Sequence, residues 1–109
     1  MKKLVVYIDT SDRTKSIVTI EIDGKIEKVE VDTPLGSGTA VLTAIETILG
    51  KHKLTTSDIT HVRVATGPGS YTGLRVGVAI ANMLGHLLGV PVNNQPVGQG
   101  ATPDYQQSS

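Results

Sequence analysis

The sequence predicts an α/β fold, a mixed five-stranded sheet with two main helices in the order β-β-β-α-β-α-β, and three observations predict it. Residues 4–31 hold apolar or alternating runs broken only by turn residues. Two stretches, 39–49 and 70–89, carry apolar residues at helical spacing, and each is followed by a short β-branched run. Three meandering strands followed by helix–strand alternation give a mixed sheet with helices packed on it. One domain is expected for 109 residues. Residues 1–92 form the lobe, and 93–109 read as a polar, flexible tail broken by Pro96, Gly98, Gly100 and Pro103.

Leu4 to Ile8 is a continuous apolar run and suits a buried strand. Ser16 to Ile22 alternates, with Val18, Ile20 and Ile22 on one face and Ile17, Thr19 and Glu21 on the other. Asp23-Gly24 is a two-residue hairpin signal. The third strand, Lys25 to Val31, puts Glu27, Val29 and Val31 on one face and Ile26, Lys28 and Glu30 on the other, the pattern of an edge. Asp32 to Gly38 is loop chemistry, and Thr39 to Leu49 is the first helix, with Gly50 expected to stop it. Ser57-Asp58 introduces a fourth strand, Ile59 to Ala65, with Val62 and Val64 buried. Gly67-Pro68-Gly69-Ser70 turns the chain into the second helix, and Val90-Pro91-Val92 is expected as a fifth strand.

Ten basic and ten acidic side chains cancel, so no long-range field draws the chain onto nucleic acid or an anionic membrane, and direct RNA binding is not expected. The absence of cysteine rules out disulfides and thiolate metal sites and fits a reducing compartment, with the cytoplasm as default. The N-terminal apolar run ends at Asp9, too soon for a signal-peptide core. The apolar stretch from Val76 to Val92 is interrupted by Asn82 and His86, which argues against a membrane span.

The second helix poses a question, because Gly69, Gly73, Gly77, Gly85 and Gly89 fall on a four-residue grid completed by Ala81. Each interior glycine costs roughly 1 kcal/mol relative to alanine. Steps of four drift by only about 40° around a helix, so the row forms a groove that a backbone can approach closely. The groove serves either packing within the chain or an interface with another chain. Arg75, Asn82 and His86 leave the rest of the helix apolar, and the first helix shows a similar excess, which favours an interface. Its expected members are Gly69, Gly73, Leu74, Gly77, Ile80, Ala81, Leu84 and Gly85, with Val41, Ile45 and Ile48 from the first helix.

Catalytic signals are sparse. Gly67 to Gly73 is a glycine-rich turn at a helix N-terminus, a place where an anion can bind. Neither phosphate-loop pattern is met, since no Gly-Lys-Ser/Thr occurs and Thr72 stands where GxGxxG needs glycine. A capped helix with Ser70 or Thr72 as N-cap explains the same residues. Asp9-Thr10-Ser11 ends the first strand, where a carboxylate can orient a phosphate or hydrated metal, or simply close a turn. His52, His61 and His86 lack a ligand partner at helical spacing, so no metal site is expected.

With these residues in view, the chain resembles the TsaB (YeaZ) family of tRNA threonylcarbamoyladenosine biosynthesis proteins. "YIDTS" at 7–11, "ATGPGSYTGLRVGVAIANMLG" at 65–85 and "LGVPV" at 88–92 carry the resemblance, the second most specifically. It covers residues 1 to about 92 and implies one lobe of the actin/Hsp70-like, ribonuclease H-like ATPase fold. It further implies a non-catalytic scaffold subunit that pairs through its two helices with a TsaD-like catalytic protein, or with itself as a homodimer. A TsaE-like ATPase completes the machinery, so ATP is used by the partner complex and no cofactor is bound by the chain itself. Family members carry a second lobe, and "PLGSGTAV" at 34–41 replaces their usual stretch before the first helix. Two other readings stand beside this one: a small nucleotide-binding lobe using Asp9, Thr10 and Ser11, and a homodimeric remnant without a partner.

Overall fold

A central strand organises the computed structural model, which describes residues 3–12, 14–32 and 38–102. Strand β1 (Leu4–Asp9) pairs antiparallel with β2 (Lys15–Ile22) and parallel with β4 (His61–Val64), and β3 (Lys25–Asp32) closes the far edge. The sheet order is therefore β3-β2-β1-β4. Asp23 and Gly24 join β2 to β3 with φ of 50° and 89°, the two positive values that a tight hairpin with native strand twist requires. Tyr7 faces Thr19 and Arg63 across its two neighbours, while Val6 and Ile8 point the other way and are fully buried.

Helices α1 (Gly38–Lys51) and α2 (Tyr71–Leu88) lie on one face of the sheet, with a single 3-10 turn, Thr56–Asp58, leading into β4. The core between the layers joins Leu4, Val6, Ile8, Val18, Ile20, Val62 and Val64 to Val41, Ile45, Ile48 and Leu49 of α1 and Val78, Ala81 and Leu84 of α2.

Two expectations are corrected. Gly50 does not stop the first helix, which runs on to Lys51; the reversal comes at Lys53, whose φ is 59°. The Leu54 N–H donates to the Leu49 carbonyl at 2.9 Å and the Lys53 N–H to Gly50 at 3.1 Å, the paired bonds of a Schellman ending. Half-buried Leu54 packs on the core there, so tertiary contact decides the stop rather than the local glycine.

The fifth strand is reduced to one parallel bridge between Val92 and Val62, so the sheet has four strands among the described residues. Pro91 has no N–H to donate, and Asn93 and Asn94, with φ of 52° and 62°, turn the chain away at once. The Asn93 side chain continues the pairing that the backbone abandons. Its Oδ1 accepts from the Val64 N–H at 2.8 Å, and its Nδ2 donates to the Val64 carbonyl at 3.0 Å.

Residues 93–102, read from sequence as the start of a flexible tail, are thus tied down at this end by Asn93. At the other end Asn82 donates to and accepts from the Ala101 backbone at 2.8 and 2.7 Å. Residues 33–37 of the predicted loop and 103–109 of the predicted tail lie outside the described residues.

Candidate functional site

The residues singled out from sequence converge where β1 ends and α2 begins. Ser70 is the N-cap of α2, its Oγ accepting from the Gly73 N–H at 3.3 Å, and Gly89 (φ 66°) closes the other end. The preceding turn holds Gly69 at φ 153° directly beneath Ser11, where a Cβ would lie 2.6 Å from that of Ser11. The Ser70 N–H donates to the Ser11 carbonyl at 2.8 Å. The two turns are therefore docked through backbone.

Asp9, Thr10 and Ser11 are all engaged within the chain. One carboxylate oxygen of Asp9 accepts from both the Ser11 N–H at 2.9 Å and the Ser11 hydroxyl at 2.6 Å. The Thr10 hydroxyl, buried, donates to the Gly73 carbonyl at 2.6 Å and accepts from the Gly77 N–H at 3.1 Å. The Asp9 carboxylate thus closes a turn, and Thr10 locks the strand to the helix.

This geometry answers the glycine question and corrects the expected interface. A Cβ on Gly73 would strike the Thr10 carbonyl oxygen, one on Gly77 the Thr10 hydroxyl, and one on Gly85 the Val92 side chain. The groove is filled by the chain itself. Leu74, Ile80, Ala81 and Leu84 beside it, and Val41, Ile45 and Ile48 of α1, are buried in the same core. The physical reason lies in two other segments, the end of β1, remote in sequence, and the residues just after α2, which together fill the row of missing side chains.

What faces outward differs between the helices. On α1 the exposed positions are Thr39, Thr43, Glu46, Thr47, Gly50 and Lys51, so it has no spare apolar face. On α2, Met83 is 41% and Leu87 70% exposed, in line with half-buried Val76 and with Ile80, which is buried in the core. These four residues follow 4-3-4 spacing, the seam of a helix that packs lengthwise on another helix. Ala79 lies beside them and is exposed. The seam was visible in sequence as that spacing, but the neighbouring glycine grid dominates the eye.

The histidines do not come together. His52 sits on Glu27 at 2.9 Å, His61 on the Thr60 hydroxyl at 2.9 Å, and His86 is exposed on α2. Among the described residues no group of three His, Cys, Asp or Glu side chains is placed to hold a metal, and no helix is long and apolar enough to cross a membrane.

Comparison with known proteins places this arrangement among relatives. The family profile described as "TsaD: tRNA N6-adenosine threonylcarbamoyltransferase" matches residues 38–94, the stretch that holds both helices and β4. The tRNA threonylcarbamoyladenosine biosynthesis protein TsaB of Bacillus subtilis (strain 168) is 30% identical over 89 residues, which is 82% of this chain and 39% of that protein. The protein of the same description from Buchnera aphidicola subsp. Schizaphis graminum is 35% identical over 52 residues, 48% of this chain and 25% of the other. Among solved structures, YeaZ from Pseudomonas aeruginosa superposes with a TM-score of 0.74 at 21% identity, over 83% of this chain and 42% of that one, a likeness of fold. The chain thus spans about two fifths of the length of the Bacillus relative and of the superposed structure.

Proposed function

Starting from the chain's place in the TsaB (YeaZ) family, to which it belongs over the matched part of its length, we propose that it is a non-catalytic scaffold subunit in tRNA threonylcarbamoyladenosine biosynthesis. In this reading it is one lobe of the actin/Hsp70-like fold and pairs through the outward seam of α2 with a TsaD-like catalytic subunit. ATP is consumed elsewhere in the assembly, by a TsaE-like protein, and the setting is cytoplasmic.

One observation carries the reading: Met83 and Leu87 stand exposed on α2, in line with half-buried Val76 and core-packed Ile80, so the buried face of the helix runs on into an apolar edge that the chain leaves uncovered. An ordinary amphipathic helix on a sheet needs one apolar stripe a little over about 100° wide, and that of α2 extends past its buried face to Met83 and Leu87. A helix from a partner laid along it removes Met83 and Leu87 from water. The engagement of Asp9, Thr10 and Ser11 in internal hydrogen bonds supports a scaffold over a nucleotide-using enzyme.

The test is light scattering behind size exclusion, on the chain alone and mixed with the TsaD-like protein of the same source, for wild type and for Met83→Glu with Leu87→Glu. The expected result is a heterodimer that the paired substitution abolishes while the monomer stays folded. A homodimer that does not exchange into a heterodimer assigns the seam to a second copy of this chain. A wild-type monomer that ignores the TsaD-like protein overturns the proposal.

A further inference from the structure

The bonds of Thr10 join two groups that belong to one another in an ordinary helix. The Gly73 carbonyl and the Gly77 N–H are four residues apart, the pair that the helical ladder connects. The Thr10 hydroxyl bridges them from the side, giving its proton to the first at 2.6 Å and accepting from the second at 3.1 Å. Glycine at both positions lets the hydroxyl reach them, since a Cβ at Gly77 would occupy its place and one at Gly73 would strike the Thr10 carbonyl. The hydroxyl needs both glycines. The side chain is 3% exposed, and among the described residues no buried side-chain donor or acceptor is left without a partner.

Such a bridge fixes more than distance. Apolar contact tolerates small rotations of a helix about its axis, because side chains change rotamer and slide; a hydroxyl bonded to one particular carbonyl and one particular amide does not. Val92 beneath Gly85 is an apolar side-chain contact two turns further on. From these constraints we infer that Thr10 is a positioning residue that sets the rotational angle of α2 on the sheet, and through it the direction in which the exposed Met83 and Leu87, beside half-buried Val76, face. Val76 directly precedes the bonded Gly77, so the row begins at the clamp. Knobs-into-holes packing requires a seam aimed at its partner, and a turn of α2 by a fraction of one residue's angular step moves Met83 and Leu87 off that line. This role rests on the pairing reading above for its consequence, though not for its geometry.

The experiment separates the two. Residual dipolar couplings of the α2 amides, measured on the full chain, report the orientation of the helix relative to the sheet without any partner. Thr10→Ala removes the hydroxyl and the methyl; Thr10→Ser keeps the hydroxyl and removes only the methyl. Should Thr10→Ala fold poorly, Thr10→Val takes its place. The expected result is a reoriented α2 in Thr10→Ala and a wild-type orientation in Thr10→Ser. Titration with the TsaD-like protein should then show Thr10→Ala weakened about tenfold or more in Kd, a change of about 1.4 kcal/mol at tenfold, with Thr10→Ser close to wild type.

Unchanged couplings in Thr10→Ala overturn the inference, as does an equal shift in both variants, which would assign the effect to methyl packing. A reoriented helix with unaltered Kd overturns the link to the seam. If wild type itself fails to pair, the pairing reading falls, and the couplings alone still decide whether Thr10 sets the helix.

Discussion

The two helices lie on the same face of the same sheet and reach it by different means. Helix α1 packs with side-chain volume, burying Val41, Ile45, Ile48 and Leu49, and turns threonines and a glutamate outward. Helix α2 packs in part with its own backbone, laying Gly73, Gly77 and Gly85 against Thr10 and Val92, and turns Met83 and Leu87 outward. Close backbone approach lowers local helix propensity and gains specific contact in exchange. It also shows that glycine in a helix has no fixed meaning, because what matters is the atom opposite the missing side chain.

That contrast can be broken most directly at Gly77. A Cβ there collides with a hydroxyl whose two bonds hold it in place. Gly77→Ala is expected to cost up to about 2 kcal/mol, an overpacking cost at the upper end of about 1–3 kcal/mol less the propensity gain of about 1 kcal/mol. Urea denaturation measures it, and a stable Gly77→Ala protein would remove the basis for calling this a backbone contact. Gly85→Ala grades the scale. Its Cβ meets a methyl of Val92 and, further off, the Val90 carbonyl, neither of which is tied to the helix through a bridging hydroxyl. A smaller loss of about 1 kcal/mol is expected there.

In α1 the same substitution should change sign. Gly50 is exposed, and a Cβ built on it meets nothing within 4 Å. Gly50→Ala is expected to stabilise the protein by about 0.8–1 kcal/mol, the propensity difference with no contact to oppose it. A rise in the urea midpoint beside a fall for Gly77→Ala would sharpen the comparison to one mutation with two signs. Lys53, in the left-handed conformation at the end of α1, offers a smaller gain. Lys53→Gly should add about 0.5–1 kcal/mol by removing a Cβ penalty that Gly89 never incurs at the end of α2.

How much of this was legible in the sequence follows the range of each interaction. The Asp23-Gly24 hairpin, the alternation of β2 and β3, the edge position of β3 and the Ser70 cap all depend on neighbours within a few residues, and all were readable. The Gly50 stop failed because Leu54, packed on the core, moved the reversal to Lys53. The glycine row announced itself as a groove but not what fills it, since Thr10 and Gly77 are 67 positions apart. The pair of side-chain clamps, Asn93 on Val64 and Asn82 on Ala101, was invisible for the same reason. The composition of the segment around Pro96 and Gly98 spoke only for a tail.

A last difference between the helices lies at their C-terminal ends and depends on pH. Helix α2 closes on Gly89, whose N–H donates to the Gly85 carbonyl. Helix α1 closes beside Glu27 of β3, whose carboxylate accepts from the Lys51 ammonium at 2.6 Å and faces His52 at 2.9 Å. The Lys51 bond first, and then the His52 bond, hold the Glu27 carboxyl below its ordinary value of 4.5. A depressed carboxylate stabilises the fold above the unfolded value and loses that contribution as pH falls through the folded one. Glu27→Gln should therefore lower the urea midpoint by a small, constant amount above about pH 4.5, and the gap should close as the pH drops further. Because the pair is solvent-exposed, added salt should shrink the gap at neutral pH as well. A gap that persists unchanged into acid would mean that the ionised carboxylate is not its source, since glutamine keeps the same methylenes and differs only at the terminal group. The end of α1 would then be held, like the whole of α2, by contact rather than by charge.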